Sequence, residues 1–146
     1  MGSGFDGIGQ QYLVIPAENV VKIPAGVPDE IAVLAELSSV GLRALEHVKS
    51  SLDKGKIAVF GDGPVGYLTA AMLSVVYQVP KERLVVFGAI AEKLTQFEFA
   101  ETHLVQEFDF SQKIGVQTIV ECTGGAFSEG AINQAIQVID LKVRLS

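Results

Sequence analysis

The string Gly61-Asp62-Gly63-Pro64-Val65-Gly66 limits this chain more than any other feature. It follows the β-branched and aromatic run Ile57-Ala58-Val59-Phe60 without a break and leads into an apolar stretch that carries no charge as far as Pro80. A G-x-G-x-x-G string alone says little, but one that ends a strand and opens a helix has a defined physical use. Gly61 permits the tight turn, Gly63 lets a diphosphate approach the backbone, and Gly66 lets the helix lie close to the strand. Pro64 suits a first helical position, because its missing N–H would have had no partner there. The free amides around Val65 and the positive end of the helix dipole then face a negative ligand. The competing reading is that the three glycines only build a tight connection.

The remaining residues repeat the rhythm of strand and helix. Leu84-Val85-Val86-Phe87-Gly88 reads as a second strand, 92–99 as a helix, 103–105 as a short strand, 118–121 as a fourth strand and 128–139 as a helix. Upstream, 12–15 and 20–23 read as short strands closed by Pro16 and Pro24, and Asp29 caps a helix that runs to about Val48. Strands apolar on both faces that alternate with helices make a parallel sheet covered on both sides. The expected fold is therefore α/β, a partial Rossmann sheet in the doubly wound order 3-2-1-4. The tail 140–146 alternates like an amphipathic strand and offers a fifth. With 146 residues, the chain has room for one domain and a piece of another.

Composition removes several function classes. Eleven Lys and Arg against seventeen Asp and Glu leave a net charge of −6, which argues against a partner bound through a nucleic-acid backbone. One cysteine forms no internal disulfide, and two histidines write no zinc-finger spacing. The start of the chain has no basic patch followed by an apolar run, and the uncharged run from Gly63 to Pro80 reads as a buried helix rather than a membrane span. A cytoplasmic protein with no membrane partner is the expectation.

Dinucleotide sites commonly hold the adenosine ribose with an acid about 20 residues past the glycine turn. Here the second strand ends Phe87-Gly88-Ala89, the first carboxylate is Glu92, and Lys93 stands beside it. A 2′-phosphate is tolerated at Gly88 and paired by Lys93, which favours NADP over NAD. Lys93 as an ordinary solvated helix residue is the alternative. At the end of the fourth strand, Cys122 and Thr123 fall at the carboxyl edge of the sheet, where backbone and hydroxyl contacts with a cofactor are expected. Cys122 has no His or Lys neighbour in sequence and reads as a small buried group, not a nucleophile. His47 and His103 read as surface or cap residues.

With these residues in view, the chain resembles the medium-chain, zinc-dependent alcohol and polyol dehydrogenase family, nearest its ribitol-5-phosphate dehydrogenase (ribulose-5-phosphate reductase) branch. The matching words are Ser3 to Gly7 with Gln11-Tyr12, Val21-Lys22-Ile23-Pro24, Glu36-Leu37-Ser38-Ser39-Val40, Gly61-Asp62-Gly63 with Gly66-Tyr67, Val86-Phe87-Gly88, Glu121-Cys122 with Gly124-Gly125, and Ala131-Ile132-Asn133-Gln134. The resemblance implies hydride transfer between NADPH and the carbonyl of a sugar phosphate, with zinc as Lewis acid, and a sugar phosphate or polyol as the partner. It implies that residues 1–24 are the remnant of a GroES-like catalytic domain with its connector, and 25–146 an incomplete dinucleotide-binding domain. Glu36 matches a carboxylate that approaches the metal in polyol members. The cysteine and the His-Glu pair that ligate zinc in the family fall upstream of everything present here.

Two further readings compete with a cofactor-domain fragment that is inactive alone. One is a non-enzymatic module that senses a nucleotide through the same turn. The other is a structural remnant held as a homodimer through an uncovered sheet edge.

Overall fold

A computed structural model of the chain describes Gly7 and residues 9–140. The chain divides into two units, Met1–Val33 and Leu34–Ser146. In the first, the segments 12–15 and 20–23 are not the strands expected from their composition. They flank a single 3-10 turn, Ala17–Asn19, and lie largely exposed. A strand is stabilised by the ladder it joins, and among the described residues neither segment joins one. The unit closes with one helical turn, α1 (Asp29–Ala32), in which Pro28 rather than Asp29 is the N-cap. The resembling segment Ser3 to Asp6 lies outside the described residues.

The second unit begins with α2 (Ala35–Val48), so the single helix expected over 29–48 is two helices. There follow β1 (Lys56–Phe60), α3 (Pro64–Val75), β2 (Leu84–Gly88), α4 (Ala91–Leu94), β3 (Glu101–Leu104), β4 (Val116–Glu121) and α5 (Ser128–Val138). The sheet is all parallel in the order β3-β2-β1-β4, the doubly wound arrangement expected from the sequence. Alternation along β1 builds both cores. Ile57 and Val59 pack with Leu45 of α2, Leu73 of α3 and Val86 of β2. Ala58 and Phe60 face the other way, onto Phe87, Phe110 and the Ala131, Ala135 and Val138 stripe of α5. Phe60 and Phe87 stack at 4.7 Å between ring centroids. The ladder between β1 and β4 shifts register after Lys56, and so both Val116 and Ile119 pack on the α5 side.

Helix ends differ from the periodicity reading for local reasons. α3 stops at Val75, short of the end of the uncharged run at Pro80, because Gln78 takes a left-handed conformation (φ 54°) and the Val79 N–H returns to Leu73 O at 2.9 Å. α4 is one turn instead of eight residues: the Thr95 hydroxyl donates to Glu92 O at 2.7 Å, and the chain continues in turns. Past α5, Ile139 bridges Val116 in parallel and the Asp140 N–H donates to Val116 O at 2.6 Å. The chain thus enters the position beside β4, but the rest of the tail expected as a fifth strand, 141–146, lies outside the described residues. Among the described residues no helix is long and apolar enough to cross a membrane.

Candidate functional site

The glycines of the turn have three different jobs. At Gly61 the backbone takes φ +129°, and a Cβ would stand 3.0 Å from the carbonyl carbon and oxygen of Cys122. At Gly66 a Cβ would fall 2.0 Å from Gly61 O, so only glycine lets α3 start this close beneath the turn. Gly63 is neither strained nor crowded. It is an extended N-cap (φ −84°, ψ −179°) with no protein atom within 4 Å of the place a Cβ would take. The face over Gly63 is therefore open to a ligand. Pro64 follows at the first helical position, and the amides of Val65 and Gly66 have no carbonyl one turn back to receive them. α3 is twelve residues long, so its dipole adds positive character at that end.

The carboxyl ends of β1, β2 and β4 open into a cavity of about 480 Å³. Gly61, Asp62 and Gly63 line it from the first turn, Gly88, Ala89, Ile90 and Lys93 from beyond β2, and Cys122 and Thr123 from beyond β4. Phe127, Gly130, Ala131 and Gln134 close it from the α5 side, over Phe60, Phe87 and Val105. The first-turn position Pro64 opens instead onto an adjoining depression of about 420 Å³, shared with Asp62, Gly63 and Lys93. Six of the residues expected at a cofactor thus meet in one cavity, namely Gly61, Gly63, Gly88, Lys93, Cys122 and Thr123. Val65 is half-buried in the first turn of α3, and Gly66 is buried under it.

Two carboxylates, given no role in the sequence reading, fix the loops around this cavity. Asp62 Oδ2 accepts from the amides of Ala89 at 2.8 Å and Ile90 at 2.7 Å, which ties the glycine turn to the tip of β2. Glu121 Oε1 accepts from the Thr123 N–H at 2.6 Å and from the Thr123 hydroxyl, and so holds the chain where it leaves β4. The signal for Asp62 was an acid between two glycines at a strand end. For Glu121 it was a carboxylate two residues before a threonine.

Cys122 is half-buried. Burial pushes its thiol above the ordinary value, the thiol's bond to the Thr69 hydroxyl at 3.8 Å works the other way, and Glu121 adds to the rise. It is a poor nucleophile, as expected. His47 is an exposed helix-end residue with Nδ1 2.7 Å from Arg43 O. His103 is not the surface or cap residue expected. It is half-buried in β3, with its ring 5.6 Å from Phe87 and 4.7 Å from Phe108. Glu36 is exposed in the first turn of α2 and does not line the cavity. Among the described residues no three His, Cys, Asp or Glu side chains group closely enough to hold a metal. The residues described do not fit a zinc ion.

No protein-family model matches the chain. In an alignment of 143 positions that covers 94% of its length, it is 34% identical to ribulose-5-phosphate reductase 1 of Staphylococcus aureus (strain NCTC 8325 / PS 47). In an alignment of 141 positions that covers 95% of its length, it is 30% identical to ribulose-5-phosphate reductase of Streptococcus pneumoniae (strain ATCC BAA-255 / R6). The chain spans 40% of the length of each of these curated relatives. Among solved structures it is similar to S. aureus TarJ in complex with NADPH, at 32% identity and a TM-score of 0.71, covering 82% of this chain and 37% of that one.

Proposed function

We propose that this chain carries the diphosphate and adenosine half of a nicotinamide dinucleotide site, from a reductase that interconverts ribulose 5-phosphate and ribitol 5-phosphate with NADP as the preferred carrier. The observation that carries the reading is the open face over Gly63, at the carboxyl edge of a 3-2-1-4 sheet, in a chain similar to ribulose-5-phosphate reductases along nearly all its length. In that reaction NADPH supplies a hydride to the carbonyl carbon and the carbonyl oxygen gains a proton. The residues of this chain act by binding and orientation. Amides at Gly63, Val65 and Gly66 hold the diphosphate. Gly88, at the tip of β2, borders the ribose, and Lys93 pairs its 2′-phosphate. Thr123, fixed by Glu121, and Cys122, through its backbone, border the cofactor on the β4 side.

Residues 1–24 are, on this reading, the end of a catalytic domain with its connector, and the rest an incomplete cofactor domain. Likeness to 40% of the reductases' length supports a further element of the proposal: the 146 residues bind the nucleotide without turning it over. Zinc, which the family resemblance implies, enters no step assigned to these residues. Calorimetric titration of the chain with NADPH, followed by an assay with ribulose 5-phosphate and zinc, tests both parts. Saturable binding and no oxidation of NADPH are expected. Absence of binding overturns the site, and steady oxidation overturns the inactivity.

A further inference from the structure

An acid at the end of β2 commonly accepts from the adenosine ribose hydroxyl in sheets of this topology. β2 ends here at Gly88 with Ala89 and Ile90 after it, and none of the three is acidic. A carboxylate reaches the same place from elsewhere. Asp62 crosses from the glycine turn, and its Oδ2 accepts from the amides of Ala89 and Ile90 at 2.8 and 2.7 Å. The approach depends on Gly88, where a Cβ would lie 2.8 Å from Asp62 Cβ. Two effects follow. Both amides are closed to a phosphate, while Oδ1, which has no hydrogen bond among the described residues, is left to accept from a hydroxyl. A fixed negative charge also stands at the tip of β2, where it repels a phosphate and attracts a hydroxyl donor. Among the described residues the only other charged side chain lining the cavity is Lys93, and both residues also line the adjoining depression, which puts them at the same end of the site.

We propose that Asp62 determines how the site treats the ribose 2′ position: its carboxylate disfavours a 2′-phosphate, and Lys93 is the cation that offsets it. The proposal rests on the nucleotide reading above. It is tested on the 146-residue chain by calorimetric affinities for NADPH and NADH, in the wild type, Asp62→Asn and Lys93→Met. Asparagine keeps an oxygen acceptor for both amides and replaces the outward carboxylate oxygen by an uncharged NH2 donor, and Lys93 is exposed, so both variants keep the fold. Asp62→Asn is expected to raise the ratio of NADPH to NADH affinity about fivefold, and Lys93→Met to lower it by about as much. An unchanged ratio in Asp62→Asn overturns the assignment of Asp62 while leaving the site standing, and an unchanged ratio in Lys93→Met overturns the role of Lys93. If the wild type binds neither nucleotide, the inference falls together with the proposed function.

Discussion

Gly63 and Gly66 differ by three positions in sequence and by opposite surroundings in space. A methyl group at Gly66 meets backbone oxygen at 2.0 Å, so α3 must move off the turn to admit it. Gly66→Ala is expected to lower stability by about 3 kcal/mol in urea unfolding, although alanine is ordinarily the better helix former. A side chain at Gly63 meets nothing in the protein. Gly63→Val is expected to keep the helix content, lose at most about 1 kcal/mol as a poorer N-cap, and abolish NADPH binding. Unchanged affinity in Gly63→Val would place the nucleotide elsewhere. The crowding at Gly66 and the open space at Gly63 were legible in the sequence because they depend only on a strand, a turn and a helix in succession. Asp62 and Glu121 were not: one is fixed by amides 27 and 28 residues away, and the other by how the chain leaves β4.

The same division holds for the elements. β1 and β2 were readable because they are apolar on both faces, the pattern of strands in a sheet covered on both sides. The segments 12–15 and 20–23 have strand composition yet no ladder, since β propensity describes a fit to neighbours that sequence does not supply. β3 lies at the edge of the sheet, and its His103 is pressed on Phe87 and Phe108. Burial lowers the His103 pKa; Glu101 raises it and Lys56 lowers it, with burial the largest effect. A lowered value means that the unfolded chain takes up this proton before the folded one does. Stability is therefore unaffected by His103 well above pH of about 6.5 and falls as pH drops through that value toward the folded-state one. Urea midpoints at pH 8 and pH 5.5 should show the wild type losing more on acidification than His103→Gln. Equal losses in the two proteins would show that the imidazole is as free to protonate folded as unfolded.

At the scale of the molecule, the parallel sheet, four-stranded among the described residues, with α2 and α3 on one face and α5 on the other, presents its carboxyl edge as the cavity. The order 3-2-1-4 puts β1 beside both β2 and β4, so the glycine turn, the tip of β2 and the end of β4 converge although they are far apart in sequence. The central claim is that backbone amides at the start of α3 hold a diphosphate. Amide chemical shifts followed by NMR during titration with adenosine 5′-diphosphate test it most directly. The account predicts the largest saturable changes at Gly63, Val65 and Gly66. Changes confined to other parts of the chain, or none at saturating nucleotide, would contradict it.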